Sequence, residues 1–274
     1  MKTKYILRAV NIFIAAGLAV TSLYPVFWLV SISFQNDQFA YSVPTRWLFR
    51  PELSNYRKLL RNADFKNALF NSIQISSVVT LLCVLIGAFT AYGLSRHRFK
   101  GAIALTFAFA TTRLVPTFAI VIPTFYLYRH FNLLDTTIGL DLALIAFQLP
   151  LSILIMYRVI NAISKTLDEA AHMDGAGVIR TFWQIILPIA RPGLASSAVI
   201  TFILVWNEFL FILVLAGNKI LTIPLVIASF QTDKEILWGS IAAASVISLI
   251  PILTILIFAQ KHIVSGLGAG SIVE

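Results

Sequence analysis

Charge is scarce in this chain: Asp, Glu, Lys and Arg together make up 12% of its 274 residues, about half the ~25% usual in soluble domains. With 58% apolar residues and a mean hydropathy of +0.86, the composition argues against a water-soluble fold. Cysteine is nearly missing. Cys83 stands alone, so no internal disulfide forms, and in its apolar run it reads as a small buried hydrophobe. The constellations of catalysis are missing too. His97, His130, His172 and His262 are scattered, and no HExxH or CxxC pairing offers a metal site. There is no GxSxG elbow. No GxxxxGK[ST] loop is present to cradle phosphate, so the chain does not hydrolyse nucleotide by itself. These gaps exclude an enzyme with any of these centres. Disorder is excluded by 21 Phe, since disordered chains are poor in such residues.

The charge that remains is unbalanced, with 21 Lys and Arg against 12 Asp and Glu. In a chain this apolar, the excess fits basic loops at a membrane surface better than nucleic acid. A membrane-crossing helix needs about 20 mainly apolar residues. Six stretches qualify: Ala9–Phe34, Leu69–Ser95, Ala102–Tyr128, Ile138–Ile160, Ile185–Ala216 and Gly239–Gln260. The first follows Lys2, Lys4 and Arg8, as a signal peptide would. Its apolar run is too long for one, and it reads as a retained anchor. Pro116, Pro123 and Pro150 are expected to kink spans.

An even number of spans puts both termini on one side. Eleven of the cations fall on that side and nine on the other, with Arg113 inside a span, a small excess favouring cytoplasmic termini. Six of the nine lie between Gln35 and Lys66. There Leu53, Tyr56, Leu59 and Leu60 recur at helical spacing among Arg57, Lys58 and Arg61, a pattern for a short amphipathic helix.

The interval between the fourth and fifth spans is the most informative. Ser164 offers a helix N-cap, with Asp168 and Glu169 in the first turn. Leu167, Ala170, Ala171 and Asp174 are expected on one side. Gly175 and Gly177 permit a break. A second amphipathic piece with Phe182, Trp183, Ile185 and Ile186 is expected to skim the bilayer, and Pro188 to mark a change of direction.

The spelling of this interval is specific: Glu169-Ala170-Ala171, three residues, Gly175, nine residues, Ile185, one residue, Leu187-Pro188. It resembles the EAA signature of the membrane subunits of ATP-binding cassette importers. Trp206-Asn207-Glu208-Phe209-Leu210, Arg113-Leu114-Val115-Pro116, Ile122-Pro123, Leu134-Asp135-Thr136 and the closing Gln260 to Gly270 segment extend the likeness. They resemble the carbohydrate-uptake branch, and within it the six-span, maltose-type permease.

The resemblance implies an all-α membrane protein with the type I importer transmembrane fold and a cytoplasmic coupling helix. Its parts would be an anchor helix and first external loop over 1–66, a transmembrane domain over 67–261 and a cytoplasmic tail over 262–274. The coupling segment would comprise Leu167, Asp168, Glu169, Ala170, Ala171, Met173, Asp174 and Gly175 with Leu187 and Pro188, docking on a separate ATPase subunit. The tail glycines Gly266, Gly268 and Gly270 read by default as a frayed end, whereas the resemblance implies that they dock between ATPase subunits. Expected partners are a second homologous permease, two ATP-binding subunits that hold the ATP and Mg, an extracytoplasmic solute-binding protein, membrane lipid and a sugar. The expected location is the bacterial inner membrane, with both termini cytoplasmic. No cofactor or metal is expected on this chain.

Polar residues within the spans are the candidates for a translocation pathway. Arg113 is costly in hydrocarbon, by ~2.5 to 3.5 kcal/mol, and would face either a water-filled route or a tie to a carbonyl or Glu208. Trp206, Asn207 and Glu208 would line the route, the Trp206 ring stacking on a sugar, or else pack between subunits. Gln74 and Gln148 suit helix-to-helix hydrogen bonds. The competing reading is a secondary transporter driven by an ion gradient. It would need intramembrane carboxylates, and only Glu208 and Asp141 are on offer.

Overall fold

The computed structural model describes residues 2–37, 49–97, 100–217, 219–232 and 235–268. Regular structure among them is helical apart from one isolated antiparallel bridge between Gln231 and Ile236. The order is α1 (Lys2–Ser33), α2 (Ser54–Arg61), α3 (Ala63–Arg96), α4 (Ala102–Thr112), α5 (Thr117–His130), α6 (Thr137–Asn161), α7 (Thr166–Met173) and α8 (Val178–Thr181). A π-helical turn (Phe182–Ile186) leads into α9 (Leu187–Ile189), α10 (Arg191–Trp206), α11 (Leu210–Leu215), α12 (Ile223–Ser229) and α13 (Trp238–Gly268).

Among the described residues, four segments are each long and apolar enough to cross a bilayer alone: Val10–Ser33, Ala63–Arg96, Thr137–Asn161 and Trp238–Gln260. Two bent pairs bring the number to six if each is one span. They are α4 with α5, bent by 97°, and Val178–Ile189 with α10, bent by 78°.

The third and fifth expected spans are therefore not single helices. In the third, Pro116 disfavours helix at Val115 and caps α5 in an extended conformation, φ −59° and ψ 138°. Thr111 and Thr112 turn their hydroxyls onto the Ala108 and Phe109 carbonyls at 2.9 and 2.7 Å, competing with a continuing helix. Of the three prolines expected to kink spans, Pro116 coincides with the break, while Pro123 and Pro150 lie inside α5 and α6. In the fifth, the change of direction falls at Ala190, just past Pro188, and Pro192 takes an early position in α10, where its missing N–H costs nothing. A second break at Asn207–Phe209 separates α10 from α11.

The chain divides into two compact units, Met1–Lys66 with Val226–Ile250 and Asn67–Leu225 with Pro251–Glu274. In the first unit the expected amphipathic helix is α2. Its buried residues are Asn55 and Leu59, whereas Leu53 and Leu60 are exposed. The Asn55 amide donates to the Ser33 and Gln35 carbonyls at 3.1 and 2.7 Å, closing the end of α1. The Asp37 carboxylate accepts the Ser240 N–H at 3.0 Å in the first turn of α13 and pairs with Lys58 at 3.1 Å, an acidic group where the helix dipole favours one.

In the second unit α6 is central, burying Leu140, Leu144, Gln148, Ser152, Ile153 and Met156. Helices in lipid gain little from the hydrophobic effect, so close packing and hydrogen bonds must hold them together. The Ser152 hydroxyl supplies both bonds at one point. It donates to the Cys83 carbonyl of α3 at 2.9 Å and meets the Ser197 hydroxyl of α10 at 3.0 Å. A short way along α6, Gly193 of α10 lies so near Val159 that a Cβ there would come within 2.5 Å of both its methyls.

Gly193→Leu is expected to force α10 away from α6, at about 1–3 kcal/mol for overpacking. A lowered thermal unfolding midpoint of the detergent-solubilised protein is the readout.

Candidate functional site

The signature interval forms α7 and the hairpin that follows it. At the start, Ser164 Oγ accepts the Thr166 N–H at 3.3 Å and pairs with the Thr166 hydroxyl at 2.8 Å, although the N-cap position itself is Lys165. Asp168 and Glu169 occupy the first turn, where acidic groups suit the helix dipole. At the other end, the Ala176 N–H reaches the Ala171 carbonyl at 2.9 Å and the Gly175 N–H reaches the His172 carbonyl at 3.0 Å. These two bonds make a Schellman ending. It requires a left-handed residue at Gly175, whose φ is +79°. Gly177 differs from the expectation: it is extended, with φ −74°, and the turn does not depend on its being glycine.

Only Asp168 and Ala171 of α7 are buried. Leu167, Glu169, Ala170, Met173 and Asp174 are exposed, and Met173 is 89% exposed. The expected grouping of Leu167 with both alanines on one side is thus corrected, since Ala171 faces inward and Ala170 outward. The second piece is amphipathic as expected. Its apolar side, however, packs on protein: Phe182 and Ile186 are buried with Ala88, Ala91 and Tyr92 of α3 and Met156 and Ile160 of α6. The Phe182 ring lies 5.3 Å from those of both Phe89 and Tyr92. Trp183 remains half-exposed.

What holds α7 in place is polar. One Asp168 carboxylate oxygen accepts the Tyr92 hydroxyl at 2.7 Å, and the other accepts the Arg96 Nε–H at 2.8 Å. The Arg96 side chain, 7% exposed, also donates from Nη2 to the Ile163 carbonyl at 3.0 Å and from Nη1 to Ser95 Oγ at 3.2 Å. His172 Nδ1 meets the Asp168 carbonyl oxygen at 2.7 Å. Removing one member of a buried ion pair typically costs about 3–5 kcal/mol. Beside this clamp opens a groove of about 450 Å³ lined by His97, Lys165, Glu169, Met173 and Val178 together with the clamp residues. Tyr92 and Arg96 escaped the sequence reading. Nothing in the local sequence marks Arg96, because its partner lies 72 residues further along the chain.

Of the candidate pathway residues, Trp206, Asn207 and Glu208 follow one another at the end of α10, and each of the four has partners of its own. Arg113 is tied structurally: Nη1 donates to the Phe147 carbonyl and Nη2 to Gln148 Oε1, both at 3.2 Å, with the guanidinium 5.1 Å from the centre of the Phe147 ring. Gln148 is thus a helix-to-helix hydrogen bonder, as expected, whereas Gln74 is exposed. Trp206 is 1% exposed and stacks on Phe202 at 5.6 Å, so its ring has no face free for a sugar. Asn207 and Glu208 lie at a break, not mid-helix. Asn207 is exposed and bonds back to the Ile203 carbonyl at 2.7 Å. Glu208 Oε1 accepts the Leu210 and Phe211 N–H groups at 3.1 and 3.2 Å, capping α11. A separate, mainly apolar cavity of about 310 Å³ lies among Thr112, Thr124, Tyr128, Phe147, Pro150 and Phe211, and none of the four lines it. At the chain's end, α13 includes Gly266 and Gly268, while Gly270 lies outside the described residues.

The fold thus combines apolar spans, two of them broken, with a small clamped helix between α6 and the second broken span. The model of the binding-protein-dependent transport system inner membrane component matches residues 83–268, and the chain belongs to this family. It is thus the non-catalytic membrane subunit of an ATP-binding cassette importer. It is 36% identical to the trehalose/maltose transport system permease protein MalG of Thermococcus litoralis, over 99% of both chains. It is 35% identical to the trehalose transport system permease protein SugB of Mycobacterium tuberculosis, over 92% of both. Among solved structures, a chain of a bacterial ABC transporter importing the acidic polysaccharide alginate superposes with a TM-score of 0.77 at 24% identity, covering 96% of this chain and 98% of that one. This likeness shows the shared fold.

Gly175→Val is expected to weaken the Schellman ending by about 1–2 kcal/mol, the cost of a left-handed non-glycine residue. Hydrogen exchange at the Gly175 and Ala176 positions then accelerates about 5- to 30-fold. Gly177→Ala, with nothing within 4 Å of its added methyl, leaves those rates within about twofold.

Proposed function

We propose that this permease imports a sugar, in the class of small glucosides named for its relatives, by alternating access driven by separate ATPase subunits. The observation that carries the coupling part of this reading is the exposed face of α7. Glu169, Ala170, Met173 and Asp174 project from a helix fixed at its base and ended by a stiff turn. Such a knob suits insertion into a groove on another protein, with Met173 as an adaptable apolar tip. The names of the two relatives support the sugar class, trehalose and maltose for one and trehalose for the other.

In this reading α7, Leu187 and Pro188 lie on the cytoplasmic side with both termini, in accord with the excess of cations there. ATP and Mg belong to the partner subunits. Closure of two ATPase subunits would draw together the α7 knobs of this chain and of a homologous permease, rocking the spans between inward-open and outward-open states. The free energy comes from differential contact of the ATPase with those two states. The end of α13, with Gly266 and Gly268, would reach toward the same subunits. A solute-binding protein would deliver the sugar from outside.

The test is uptake of radiolabelled trehalose and maltose by vesicles holding the complex, with binding protein inside or outside as orientation requires and ATP supplied or withheld. Uptake dependent on both ATP and the ATPase subunits is expected. Uptake by this chain alone, driven by an ion gradient, would overturn the proposal. In a Cys83→Ser background, Met173→Cys is expected to form a disulfide with a cysteine placed in the docking groove of the ATPase; no crosslink at any groove position would count against α7 as the knob.

A further inference from the structure

The buried side of α7 is almost empty of apolar contact. Ala171 contributes one methyl, and the other buried side chain is the Asp168 carboxylate. The helix is linked to α6 by the short stretch 162–165 and to α8 by 174–177; of these links only Ile163 packs an apolar side chain, partly buried, against the cluster of α3 and α6. Its position therefore depends on the bonds of Asp168 to Tyr92 and Arg96, both in the last turns of α3, and on the grip of Arg96 on the Ile163 carbonyl just before α7. Guanidinium and carboxylate bonds are directional and short. A helix held by them at two oxygens resists rotation as well as translation.

The far side of this connection also has a defined route. The same α3 offers its Cys83 carbonyl to Ser152 of α6, whose hydroxyl meets Ser197 of α10. We infer that Arg96 is a positioning residue that welds α7 to α3, so that force applied to the exposed face of α7 enters the bundle through α3, a helix distant in sequence. The inference rests on the coupling reading above and adds to it which residues make the knob stiff. With the weld broken, the knob still docks but yields under load, so ATP is spent without moving the spans.

The measurement is the ratio of ATP hydrolysed to trehalose imported, made on the purified complex with its partner subunits and binding protein in vesicles. Arg96→Gln is expected to raise this ratio at least fivefold, and Tyr92→Phe, which removes one hydroxyl, at least twofold. The double variant Arg96→Gln/Asp168→Asn should stay within twofold of the worse single variant, because the pair acts as one unit. A merely structural role would lower hydrolysis and import in proportion and leave the ratio unmoved, and that result overturns the inference. So does a double variant whose effect is the product of the singles. Should Arg96→Gln fail to accumulate, Tyr92→Phe decides by the same ratio. If the wild-type complex shows no ATP-driven import of trehalose or maltose, the reading of the preceding subsection fails; if it does import and the variants keep its ratio, only the weld fails.

Discussion

The carboxylate of Asp168 is the constraint on which the signature segment depends. It joins the end of α3 to a helix more than seventy residues later, and it does so with two short bonds from Tyr92 and Arg96. A buried carboxylate with one partner missing is expensive, so the two helices are held together or the segment is destabilised. Everything nearby follows from that pairing. Phe182 and Ile186 pack under the same end of α3, the Schellman turn at Gly175 directs the chain back to them, and Met173 is left at the exposed tip.

Inside the bundle, hydrogen bonds play a comparable part. Ser152 binds three helices at one buried point, and Arg113 is accommodated by a carbonyl, an amide and an aromatic face. The breaks in the third and fifth stretches expose backbone groups that a continuous helix would satisfy. Glu208 answers part of that need by capping α11. Glu208, which looks like a pathway carboxylate from its position in an apolar run, has one carboxylate oxygen engaged with its own backbone, and the Trp206 ring is stacked on Phe202.

Much of this was legible from the sequence. Apolar runs longer than a bilayer's width mark spans because little else tolerates hydrocarbon, and four such segments are single helices here. The spelling from Glu169 to Pro188 marked the position of α7 and its turn, since a glycine is needed where φ is positive. Leu53 to Arg61 announced α2 by its period. The breaks were harder to see. A proline such as Pro116 coincides with a break while Pro123 and Pro150 sit inside their helices, and nothing in the residue type tells the two cases apart.

The sequence by itself therefore determined the apolar segments and the position of a short helix ended by a glycine turn, because these depend on hydrophobicity and on local backbone preference, while the class of molecule came through the likeness of its spelling to a family. Only the tertiary structure decided which face of α7 is free, that Ala171 turns inward while Ala170 does not, and that Arg96 is the partner of Asp168. Those outcomes depend on contacts between residues far apart in the chain, and neither periodicity nor spacing encodes which distant group will lie across from a given side chain.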